Sequence, residues 1–142
     1  MKGLLSKFFC LCVLVLLASC GSTSSVTSKG ADAGIVQTYT GDFETIKVAA
    51  LSGLRNSGVS ISDTNDSERG YLITFSKSLS AFSWGEVGRV LVVKMADDKT
   101  KVSVVTEKRM AMELKSSSQA DIASFVFNDI TQALKNKSQS EE

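Results

Sequence analysis

Between Asp42 and Lys135 the spacing of apolar residues changes period twice, and this pattern constrains the fold more than any other feature of the chain. Phe43, Ile46, Ala50 and Leu54 recur at three-to-four spacing, the period of a helix with one apolar stripe. From Val59 to Met110 the period drops to two or gives way to short apolar runs, which reads as strands. Ile122, Phe125, Val126, Ile130, Ala133 and Leu134 then restore the helical period. The first helix is expected over roughly Asp42 to Ser57, with Thr40 or Asp42 as its cap and Gly58 where a left-handed C-terminal cap belongs. Ser118 with Asp121 resembles a capping box opening the last helix.

Four strands are expected between the helices: Val59–Ser62, Tyr71–Phe75, Val87–Met95 and Lys101–Met110. "DTNDSERG" and "ADDKT" read as turns, and "SKSLSAFSWGE" as a longer connection. Val90 to Val93 is apolar without alternation, which implies that both faces are covered near its centre. Short turns make an antiparallel meander. Both amphipathic helices need a surface, and one face of the sheet supplies it. The expected fold is therefore α+β, in two layers: an antiparallel four-stranded meander sheet packed by an N-terminal and a C-terminal helix. The chain has 142 residues, enough for one domain, and no Pro to demote a strand. Ile35 to Tyr39 is a β-prone lead-in to a domain spanning residues 35–137. Residues 20–34 are small and polar and read as a flexible tether; residues 138–142 read as a disordered tail.

The first 19 residues read as a processing segment. Lys2 and Lys7 supply positive charge, and Phe8 to Leu17 is an unbroken apolar run. That run suits a signal peptide and falls short of the about 20 apolar residues that span a bilayer. Leu17-Ala18-Ser19-Cys20 follows and resembles the bacterial lipobox, in which small residues precede a fixed Cys. The resemblance implies cleavage before Cys20, diacylglycerol on its sulfur and an acyl chain on the new amino group. Several acyl chains make such an anchor effectively permanent, at about 0.8 kcal/mol per buried methylene. Gly21 rather than Asp follows Cys20; by the sorting rule of Gram-negative lipoproteins this implies the outer membrane, facing the periplasm, or the plasma membrane if the source is Gram-positive. Cys10 and Cys12 leave with the signal peptide and Cys20 is capped, so the mature chain is expected to hold neither a free thiol nor a disulfide.

The lipobox, the tether, "YTGDFETIKVAALSGL", the strand after Gly58, "DDKTKVSV" and the final amphipathic helix together resemble a family of small uncharacterised bacterial lipoproteins with one α-β-β-β-β-α module. The layout is also similar to the helix-grip modules of the lipoprotein subunit that accompanies the outer-membrane β-barrel assembly machine. The resemblance spans about residues 35–136, rests on element order and turn chemistry, and carries over no functional residue except Cys20.

Catalytic motifs are sparse. The chain has no His, which removes the commonest general base and metal ligand. Ser76-Lys77-Ser78 and Lys115-Ser116 offer Ser and Lys, but neighbours on a strand point to opposite faces. Asp97-Asp98, Asp63 with Asp66, and Glu86 are the carboxylate candidates; the first two sets fall in expected turns, where Asp serves the backbone. Asp63, Asn65 and Ser67 alternate as calcium ligands do, without the Gly and distal Glu of a calcium loop. Gly85 and Gly88 precede a strand, not the helix a phosphate loop needs. No enzyme activity, metal or cofactor is expected, and the balance of 16 basic and 15 acidic residues gives no case for nucleic acid.

Leu79, Phe82 and Trp84 alternate with small residues in the connection after the second strand. They read as core plugs, as an exposed interaction rim, or as an edge strand. The expected function is a cell-envelope lipoprotein held to the membrane by Cys20, a non-catalytic interaction or scaffold module with an envelope protein partner. The alternative is a module binding a small apolar ligand or lipid, with a lid around Phe82 and Trp84.

Overall fold

Five strands form the sheet, because the lead-in before the first long helix joins it. The computed structural model describes residues 22–68, 70–78, 85–109 and 119–140. In chain order these form α1 (Thr23–Thr27), β1 (Ile35–Thr40), α2 (Phe43–Asn56), β2 (Ser60–Ser67), β3 (Gly70–Lys77), β4 (Glu86–Lys94), β5 (Lys99–Lys108) and α3 (Gln119–Ser140). The sheet order is β1-β5-β4-β3-β2, antiparallel at every pairing. The meander β2 to β5 is the expected one. β1 adds to its far edge by pairing Ile35 with Val104 and Thr40 with Lys99. The four-strand expectation is corrected on this point: Ile35–Thr40 finds its partner 59 to 69 residues on, beyond the reach of local pattern.

Successive residues on each strand point to opposite faces of the sheet. Tyr39, Tyr71, Ile73, Phe75, Val90, Val92, Val102 and Val104 point to the front, where Ile46, Ala50 and Leu54 of α2 and Ile122, Val126 and Ile130 of α3 complete the core. The α2 helix starts as its sequence implies. Asp42 is the cap, and its carboxylate accepts from the Thr45 N–H at 3.1 Å and the Thr45 hydroxyl at 2.7 Å. Lys137 of α3 donates to the same carboxylate at 3.1 Å. The Thr45 hydroxyl, Lys137 and the Thr45 N–H, in that order, pull Asp42 from its ordinary value of 3.8 to about 2.

The structure corrects four further expectations. "DTNDSERG" is mostly strand: β2 runs to Ser67, and only two residues separate it from Gly70. An edge strand has water on its free side, so its polar composition carries no penalty there. The C-terminal tail starts later than expected, since α3 continues to Ser140. Phe125, placed on the apolar stripe of α3 by its spacing, is 44% exposed; Ala123 and Phe127 extend the stripe instead. Residues 22–33 are not a free leash, because α1 packs on the back of the sheet with Val26 wholly buried.

Candidate functional site

The back of the sheet holds the least expected side chain. Arg89 lies in the middle of β4 and is wholly buried. Its Nε donates to the Val26 carbonyl at 2.7 Å, and one terminal nitrogen donates to the carbonyls of Lys29 at 2.9 Å and Gly30 at 2.7 Å. The other reaches the Ser103 hydroxyl at 3.2 Å. The guanidinium fork thus donates to the carbonyls of Val26 and Lys29 and adds a second donor to that of Gly30, which also accepts from the Ala33 N–H at 3.1 Å. Burial pulls the Arg89 pKa down, yet a guanidinium keeps its charge in proteins.

Around this clamp Val26 packs on Val87 and Val105, with Ala33 beside them. Full burial of a Val contributes about 1.5–3 kcal/mol. Glu107 accepts from the Ser25 hydroxyl at 2.7 Å and pairs with Lys29 at 2.6 Å. The Lys29 and Ser25 hydrogen bonds, in that order, hold the Glu107 carboxyl below the ordinary range. Further along, Asp32 pairs with Lys101. The segment then crosses into β1 at Gly34, whose φ of 79° and closeness to the Val104 carbonyl leave no room for a Cβ. Arg89 escaped the sequence reading, although a lone Arg amid the valines of "EVGRVLVV" is the signal that marks it.

The second feature is an open groove of about 700 Å³ on the outer side of the helix pair, lined by residues including Thr45, Val48, Ser52, Asp129 and Gln132. Asp129 accepts from Ser52 at 3.1 Å and from Asn56 at 2.8 Å. Val48 lies in the groove and is 64% exposed. The space between helices and sheet is filled by Ile46, Leu54, Phe75 and Val126.

The carboxylates singled out in the sequence do not converge. Asp97 and Asp98 form the β4–β5 turn with φ of 58° and 53°, the left-handed pair that suits a two-residue hairpin. The irregularity between Ile61 and Asp63 leaves Asp63 opposite Thr74 and Asp66 opposite Tyr71, on opposite faces of the sheet. Asp66 pairs with Lys47, whose ammonium also sits 5.2 Å above the Tyr71 ring. Glu86 is buried at the start of β4, in register with Lys77 and Lys108. Asn65 and Ser67 lie along β2 rather than in a loop. Gly88 gives room for the Phe75 ring across the strand pair. Burial pushes the Tyr39 hydroxyl up to about 12, and Asp42 lies near 2, so neither is tuned for proton transfer near neutrality. Among the described residues no three His, Cys, Asp or Glu side chains converge on a metal site, and no helix is long and apolar enough to cross a membrane.

Cys20, Leu79, Phe82, Trp84, Lys115, Ser116 and Ser118 lie outside the described residues. Comparison with known proteins finds no matching family and no matching curated relative. The functional reading therefore rests on the residues themselves.

Proposed function

We propose that this chain is a bacterial cell-envelope lipoprotein, anchored through acyl chains on Cys20, whose domain works by contact rather than by catalysis. The observation that carries the reading is Leu17-Ala18-Ser19-Cys20 placed directly behind a basic n-region and a short apolar run. Its place is the outer membrane, facing the periplasm, or the plasma membrane in a Gram-positive source. The outer side of the α2–α3 pair supports a contact role, since Val48 and Phe125 are the exposed large apolar residues of those two helices among the described residues, and exposed apolar residues beside a groove mark interaction surfaces.

Capture of the lipidated protein from membranes after crosslinking tests this reading. An envelope protein should be recovered with the native chain and should drop at least about tenfold with the pair Val48→Glu and Phe125→Glu, the loss that 1.4 kcal/mol of binding represents. Recovery of the same proteins with the double variant, or of no envelope protein with either, would sink the contact role assigned to this face.

A further inference from the structure

The docked N-terminal segment fixes how far the domain stands from its anchor. The described chain begins at Ser22, and Ser22 already caps α1 by accepting from the Ser25 N–H. Ser25 is held on Glu107 near the last residues of β5. From Cys20 to Ser22 there are two residue steps, which span about 7 Å at full extension. A free coil of the whole small-residue stretch would reach on the order of 20 Å. The clamp on Arg89 therefore removes most of the leash.

The position of the attachment also sets a direction. Glu107 sits at the end of the sheet where β3 finishes at Lys77, β4 begins at Glu86 and β5 finishes at Lys108. The α2 helix ends there too, beside Gly58 and the start of β2. Arg55, Lys77 and Arg109 are exposed at this end. Of the nearby carboxylates among the described residues, Glu86 is buried, Glu107 is paired with Lys29, and Asp121 is exposed on the first turn of α3. Lys94 and Glu68 mark the opposite end of the sheet.

We propose that the segment 22–33 docks the domain against the bilayer with the Lys77–Arg109 end of the sheet on the lipid headgroups, the basic side chains facing their phosphates. The inference rests on Cys20 being the anchor and adds what that reading lacks, a surface of the domain and its partner. Phosphates favour this end electrostatically, because an anionic surface attracts each Lys or Arg held close to it.

The test uses the lipidated chain in vesicles of phosphatidylethanolamine and phosphatidylglycerol carrying a headgroup quencher. With Cys20 capped, Lys77→Cys or Lys94→Cys introduces the sole thiol for a fluorophore. These positions are separated by about 26 Å of strand, from the rise per residue along β4. The label at position 77 should be quenched severalfold more than the label at position 94. Inserting about ten Gly and Ser residues between Gly21 and Ser22, which adds roughly 17 Å of coil, should abolish the difference. Equal quenching at the two positions, or more at 94, would overturn the orientation. A difference that survives the insertion would overturn the role of the docked segment. Intact mass keeps the two readings apart: unacylated Cys20 removes the anchor itself, whereas acylated protein with equal quenching removes only the orientation.

Discussion

At Gly53 two helices approach more closely than a methyl group allows. A Cβ there would lie 2.6 Å from the Phe125 carbonyl oxygen and 2.7 Å from the Val126 Cα. Ala in place of Gly inside a helix ordinarily gains about 0.5–1 kcal/mol. Here the obstacle is backbone, which cannot rotate away, and overpacking costs about 1–3 kcal/mol. The second effect wins, so Gly53→Ala should lower stability by about 1–2 kcal/mol, read from the urea midpoint. A stabilised variant would show that the helices are not this close. The same residue scale explains Arg89. Among the described residues no ion pair involves Arg89, and the charge stays buried because four acceptors surround its fork.

Among the elements, the N-terminal segment depends most on one side chain. Arg89→Ala removes the side-chain donor from the carbonyls of Val26 and Lys29, while that of Gly30 keeps the Ala33 N–H, at a cost of about 1–3 kcal/mol for each buried acceptor left without a partner. The segment should then open locally while the front core of the sheet stays folded. Trypsin cleavage after Lys29, which follows the open population, should speed up on the order of a hundredfold. Unchanged cleavage would mean that Val26 and Glu107 hold the segment without the clamp. The sequence revealed the elements whose signals are local: Phe43 to Leu54 as a helix, Asp97-Asp98 as a turn, Val102 and Val104 as one face of a strand. It hid those decided at a distance. Thr23–Thr27 looks like a linker by composition, and only Val26 and the distant Arg89 make it part of the fold. β1 likewise depends on β5. The role proposed for Cys20 rests on linear sequence alone, as a processing signal does, and Cys20 lies outside the described residues. The roles of Leu79, Phe82 and Trp84 turn on how one connection folds, which alternation alone does not fix.

For the whole molecule, the sheet divides the labour. Its front face builds the core with α2 and α3, and its back face grips residues 22–33. The outer side of the helix pair, with Val48 and Phe125 exposed, is the face proposed for a partner. The proposed function puts Cys20 at the head of the mature protein, on the strength of the Leu17-Ala18-Ser19-Cys20 stretch. The intact mass of protein extracted from membranes tests that claim most directly. The account predicts a chain that begins at Cys20 and carries acyl chains, and a Cys20→Ala variant that accumulates with residues 1–19 still attached. A membrane-extracted chain that keeps those residues, with Cys20 as a free thiol, would contradict it.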